Sequence, residues 1–295
     1  MTTAKIALLD DRGVIAVTGE DAGKFLQGLI TNDMDLVDGE SAIFAGLLSP
    51  QGKILFDFFV VRAGDGFLLD VAKEQAGELV KRLTMYKLRT KVAIADQSNS
   101  MAVVAGLGAT LGGRAVSFDD PRRAGLWPRA ILLDAAAFGG PALIASNRGW
   151  GTGADYNANR IALGIPEGGH DYAFGEAFPH EALFDQLGGV SFTKGCYVGQ
   201  EIVARMEHRG TARKRIVRVR GAGELPRMGT EVKAGYVVIG HLGSHAGKAG
   251  LAMLRLDRVI EFAGKGVVLT AGNVEIAPDE GDVALLAPKS QAADP

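Results

Sequence analysis

Cysteine is nearly absent from this chain of 295 residues: there is one, Cys196. A single thiol closes no internal disulfide, which agrees with a reducing compartment and leaves the thiol free. With no second cysteine and no H-E-x-x-H, no zinc site is expected, and no metal ligands are assigned. A charge excess is also lacking. The 32 Lys and Arg against 34 Asp and Glu leave a net charge of −2 and a pI near 6.2, which gives no global pull toward nucleic acid or anionic membrane. Long apolar runs are missing too. The longest stretch without charge, Gln97 to Gly113, is too short and too polar to span a bilayer. The N-terminal "MTTAKIALLDDRGVIAVTG" is acidic by residue 11 and shows neither a basic segment followed by an apolar one nor a small-residue cleavage site. These absences lead to the expectation of a cytoplasmic protein with no membrane partner.

What is present suits a globular protein. At 47% hydrophobic and 22% charged residues, the chain can bury a substantial core and divides into about two domains. "RGVIAVTG" (12–19) reads as a strand, and "GEDAGKFLQGLI" opens a helix that Asp21 or the preceding turn can cap. Strand-like runs follow at 53–62, 66–72, 101–108 and 130–135, and 73–89 is an amphipathic helix. The irregular alternation argues for an α+β fold with antiparallel sheets and packed helices. After residue 209 come short runs separated by turn residues, which predict a small β-barrel or sandwich over 209–288 after a first domain over 1–208. Residues 289–295 read as a disordered tail.

Most catalytic signatures fail. "GLGATLGG" (106–113) needs glycine at 111 for a dinucleotide fingerprint and has Leu111, so a turn is expected there. "GLLSPQGKI" has one residue too many between its glycines for a phosphate loop, and Ile54 stands where a hydroxyl should bind magnesium. Ser191 lacks the second glycine of a nucleophile elbow. His241 and His245 are four apart, but the surrounding glycines argue against a helix that would align them.

"SFTKGCYVGQEIVAR" (191–205) holds the one cysteine among small, polar and charged neighbours. Thiolate is the reactive form of cysteine, and a nearby cation or helix N-terminus favours it. Lys194 is the candidate cation, and a helix starting just after Gly199 would present free N–H groups. The same pattern also fits a small residue on a turn that needs Gly195 and Gly199 for its backbone.

The run "GGVSFTKGCYVGQEIVAR" closely resembles the signature of the YgfZ family, K-G-C-[YF]-x-G-Q-E, filled here by Lys194, Gly195, Cys196, Tyr197, Gly199, Gln200 and Glu201. The resemblance extends through "VTGEDAGKFLQGLITNDM", "LLSPQGKILFDFFV", "FDDPR", "NRIALGIPEGGHD" and "GTARKRIVRVR". Over 160–220 the chain looks most like the branch that includes the mitochondrial factor for maturing [4Fe–4S] proteins. The resemblance implies a folate-binding accessory factor for assembly or repair of iron–sulfur proteins. It also implies an aminomethyltransferase-like fold around a central channel, ending in a β-barrel. Its ligand would be tetrahydrofolate or a derivative, and its partners iron–sulfur assembly proteins or client enzymes.

On the same resemblance, Cys196, Lys194 and Arg205 form the candidate reactive group, and Asp57, Tyr156 and Arg160 the candidate folate contacts. Aminomethyltransferases carry an acid near the place of Cys196, paired acids where this chain has Phe56 and Asp57, and a glutamate where it has Ala162. Those departures disfavour the rival reading, a folate-dependent aminomethyl or methyl transferase. A third reading, a tRNA-modification factor, would use the seven Lys and Arg between Arg205 and Arg220, and the net acidity disfavours it. A lone cysteine cannot hold a cluster that needs about four ligands, so any cluster contact would be shared with another chain.

Overall fold

The computed structural model describes residues 6–39, 41–106, 115–138, 151–210 and 212–287. The chain forms two compact units, and it passes between them more than once. Residues 1–50, 54–159 and 186–198 make the first, while 51–53, 160–185 and 199–295 make the second. The expected boundary at 208/209 therefore differs from this division: 160–185 and the segment from 199 belong with the C-terminal unit. The expected turn over 107–113 and the tail over 289–295 lie outside the described residues.

The first unit contains two antiparallel sheets, as the α+β reading requires. Its strands are β1 (Ile6–Leu9), β2 (Arg12–Thr18), β3 (Ile43–Leu48), β4 (Ile54–Ala63), β5 (Gly66–Ala72), β6 (Ala93–Asp96), β7 (Ala102–Gly106), β8 (Ala115–Phe118) and β9 (Arg129–Leu132). One sheet has the order β3-β4-β5-β2-β6 and the other β1-β7-β9-β8. Residues alternate across a strand, and in β4 this sends Phe56, Phe58 and Val60 to a core with Leu26, Ile30, Leu79 and Leu83. The predicted helix over 73–89 is a 3₁₀ turn, Lys73–Gln75, followed by the helix Ala76–Lys87. It buries Ala76, Leu79 and Leu83, the spacing of one helical face. Asp21 stands at the start of the helix Ala22–Gln27 without capping it, because its carboxylate accepts from the Lys91 backbone N–H instead.

The other face of β4 and β5 carries Asp57, Phe59 and Asp70. Asp70 is fully buried between two guanidinium groups, with Arg12 Nε at 2.6 Å and Arg129 Nη2 at 2.6 Å. Burial by itself would raise its pKa, but the two arginines outweigh that and hold the carboxyl below its usual range. Arg122 pairs with Asp120 at 2.8 Å, and Arg122 and Arg129 both lie over the Phe59 ring. "FDDPR" is thus a buried ionic anchor, because Asp120 and Arg122 close on each other.

In the second unit β10 (Lys214–Gly221), β11 (Glu231–Ala234), β12 (Val237–Ala246), β13 (Ala249–Arg255), β14 (Leu269–Ala271) and β15 (Val274–Pro278) close a barrel in the order β10-β13-β12-β11-β14-β15. Every neighbouring pair is antiparallel. Gly240 is required where β12 meets β13, since a Cβ there would collide with the Met253 carbonyl.

Candidate functional site

The motif loop is built on a turn near the N-terminus. After the helix Ala22–Gln27 the chain turns through 28–32, and the last carbonyls of a helix lack internal donors. Lys194 supplies them: its ammonium donates to the carbonyls of Gln27 at 2.7 Å, Ile30 at 2.9 Å and Asn32 at 2.7 Å. Thr31 Oγ1 donates to Gly189 O at 2.6 Å, Asn32 Nδ2 to Gly188 O at 2.7 Å, and the Ser191 N–H to Thr31 O at 3.0 Å. Thr31 and Asn32 are themselves fixed to β3, through the Gly46 N–H to Thr31 Oγ1 and Asn32 Nδ2 to Phe44 O. Six hydrogen bonds therefore tie residues 188–194 to residues 27–32.

Lys194 is buried, and that desolvation lowers its pKa to about 8, against the opposing pull of Asp33 and Asp35. Tyr197 is buried as well, with its ring centroid 5.4 Å from the Lys194 ammonium, and burial pushes its phenol up to about 12. Val198 packs on the core of the first unit. Between these anchors Cys196 is exposed. Gly195 has open space where a Cβ would stand. Gly199 adopts φ 82°, a left-handed conformation that glycine takes without strain. The helix Gln200–Arg209 starts directly after it, as expected.

Two assignments change. Lys194 was expected to be the cation beside the thiol, but its three ammonium donors go to three backbone carbonyls. Its role is to hold the loop. Arg205 was expected to face the thiol, yet its guanidinium pairs with Glu201 one helical turn away at 2.8 Å, and both side chains are exposed. Gln200 and Glu201 form the first turn of that helix.

Two of the three expected folate contacts, Tyr156 and Arg160, are engaged within the protein. Tyr156 is buried, its hydroxyl accepts from Arg129 at 2.6 Å and Arg122 at 3.2 Å, and its ring meets Trp127 edge-on. No ring face is presented to a pterin. Arg160 is likewise buried: it pairs with Asp171 at 2.9 Å and Glu167 at 3.0 Å, and donates to Ile165 O and Ser244 Oγ. Its fork serves the packing of 160–171 on the barrel strand β12. Asp57 is buried on β4 opposite Gly46, and a single carboxylate defines no site.

The residues that the motif reading overlooked are Thr31 and Asn32. Both lie in "LITNDM", inside the region of resemblance, but their partners are more than 150 residues away. No local pattern marks that pairing.

The two units define a class: an aminomethyltransferase-like unit of antiparallel sheets and helices joined to a C-terminal β-barrel. Residues 4–110 match the GCVT N-terminal domain family, and residues 213–284 match the CAF17 C-terminal beta-barrel domain. The solved structure of glycine cleavage system aminomethyltransferase T from Bartonella henselae superposes with a TM-score of 0.73 at 15% identity, covering 94% of this chain and 84% of that one. The human "Iron-sulfur cluster assembly factor IBA57, mitochondrial" is 34% identical over 280 residues, 85% of this chain and 77% of its own length. Its mouse counterpart is 35% identical over 283 residues, with the same coverage. The Mycosarcoma maydis homolog is 34% identical over 233 residues, 73% of this chain and 57% of its own. The chain belongs to the IBA57 family of iron–sulfur cluster assembly factors. These relatives are mitochondrial proteins, which overturns the expectation of a cytoplasmic location. No helix among the described residues is long and apolar enough to cross a membrane.

Proposed function

We propose that this protein is an accessory factor for assembly or repair of iron–sulfur ([4Fe–4S]) proteins and that Cys196 is its working group. One observation carries the proposal: Cys196 is exposed between anchored neighbours, on a loop held by six hydrogen bonds to another part of the chain. A thiol kept in place and open to solvent can be offered to a second protein. A lone cysteine supplies one of the about four ligands that a cluster needs, so the remaining ligands come from the partner chain. Family membership supports assembly proteins or client enzymes as those partners. The YgfZ-type motif supports the same assignment for Lys194 through Glu201, with Lys194 and Tyr197 as supports of the loop.

A reduced folate is the ligand favoured by the aminomethyltransferase-like fold, and its contacts must be residues other than Tyr156 and Arg160. An aminomethyl transfer is disfavoured because Phe56 and Ala162 stand where transferases have carboxylates, and loss of one acid–base group typically costs about 10²–10⁴-fold in rate.

The test is complementation. In cells lacking this protein, Cys196→Ala is expected to accumulate as a folded protein yet fail to restore [4Fe–4S] enzyme activity. Full restoration would remove Cys196 from the function.

A further inference from the structure

The turn that follows the helix Ala76–Lys87 departs from ordinary backbone geometry. The Thr90 N–H donates to Lys87 O at 2.9 Å, closing a four-residue turn with Leu88 at its second position. Leu88 has φ 44° and ψ −110°, a region that glycine enters freely and a leucine enters only under strain. Strain of this kind is usually offset by burial, yet Leu88 is 88% exposed. Met85, in the last turn of that helix, is 70% exposed.

Beside Leu88 lies a groove of about 850 Å³, lined by Asp21, Lys24, Phe25, Leu88, Arg89 and Thr90. Phe25 is otherwise buried and forms its apolar floor. The charge around it is positive in excess. Lys24 and Arg89 line the groove and Lys87 sits in the turn; none of the three is in an ion pair among the described residues, whereas the neighbouring Lys81 and Lys91 pair with Glu78 and Glu20. Asp21, the one acid in the lining, accepts from the Lys91 N–H through one carboxylate oxygen and keeps its charge, so the cations stand in excess by two.

We infer that the groove between the helix Ala22–Gln27 and the Leu88 turn docks an acidic segment of a partner protein, with an apolar side chain of that segment seated on Phe25 and Leu88. Three unpaired cations call for carboxylates. The projecting Leu88 side chain beside the apolar Phe25 calls for an anchor residue that fills a pocket. A concave site receives a convex peptide segment, whereas a bilayer presents a flat surface, so a protein partner is favoured over a membrane. None of these residues belongs to the Cys196 loop, and the inference stands apart from the role of that thiol.

The test uses the full chain and a random peptide library displayed on phage, depleted first on a Leu88→Gly/Arg89→Glu variant and then selected on the wild type. Enriched peptides are expected to place several Asp or Glu around one aliphatic or aromatic residue. A synthetic copy of the most enriched one is expected to bind the wild type about tenfold tighter than either single variant, and to weaken as salt is raised. Leu88→Gly keeps the experiment sound, because relief of the strained φ predicts a higher melting temperature than wild type. The inference is overturned by any of these: no enrichment, enriched peptides without acids, equal affinity for the variants, binding to phosphatidylserine vesicles that depends on Leu88, a dimer in sedimentation that depends on Leu88, or a variant that melts no higher than wild type.

Discussion

Replacing Lys194 by methionine keeps much of the side-chain volume and removes the ammonium that joins the motif loop to the N-terminal turn. Three bonds are lost, to the carbonyls of Gln27, Ile30 and Asn32, at 2.7, 2.9 and 2.7 Å. Bonds to a charged donor contribute about 2 kcal/mol each, about 6 kcal/mol together. Against this stands the desolvation of the ammonium, which lowers its pKa from 10.5 to about 8 and offsets part of that gain. With that offset, the net deficit of Lys194→Met is on the order of 2–4 kcal/mol at pH 7, a fall in melting temperature of several degrees. The deficit also depends on pH. A lysine that binds its proton more weakly folded than unfolded adds stability as pH rises from 8 toward 10.5 and loses that gain below 8. Methionine has no such titration. Wild type should consequently draw further ahead by about 1.4 kcal/mol between pH 7 and pH 9. Urea unfolding of both proteins at the two pH values measures this directly. A deficit under about 1 kcal/mol would show that the three carbonyl bonds do not hold the loop. A gap that stays constant or narrows toward pH 9 would show that the ammonium is not desolvated.

Native protein should take up one equivalent of iodoacetamide at Cys196, since no other cysteine exists and this one is exposed; absence of labelling by mass spectrometry would contradict the exposure. Asp70→Asn leaves Arg12 and Arg129 without their shared carboxylate, and a loss of about 3–5 kcal/mol is expected in chemical denaturation. Gly199→Ala forces a Cβ into φ 82° and should cost about 1–2 kcal/mol, with thermal melting as the readout. Tyr156→Phe removes the hydroxyl that accepts from two arginines, so it should lower stability without changing the calorimetric affinity for tetrahydrofolate. A weakened folate affinity at unchanged stability would restore Tyr156 as a ligand contact.

Much of this protein is legible in its sequence because the determining forces are local. The β4 run "ILFDFFVVRA" alternates between two faces, "AGELVKRLTMYK" buries every third or fourth residue, and the turn residues after 209 cut the barrel into short strands. The K-G-C motif likewise singled out the thiol, and Gly199 marked the start of the following helix. What stood out of reach was the partner of each charged side chain. Lys194 sits two residues from Cys196 in sequence, and proximity suggested an electrostatic partnership. The folded chain instead brings the open carbonyls of the 27–32 turn to the ammonium, and a buried cation goes where most acceptors are. Tyr156 and Arg160 looked like ligand contacts through the family resemblance, and Asp171, Arg122 and Arg129 claim them. Periodicity and backbone chemistry act over a few residues, so sequence alone determined the elements and singled out the cysteine, while its exposure came from the fold. Desolvation makes every buried polar group find a partner at any sequence distance, and which partner it finds was decided only by the tertiary structure.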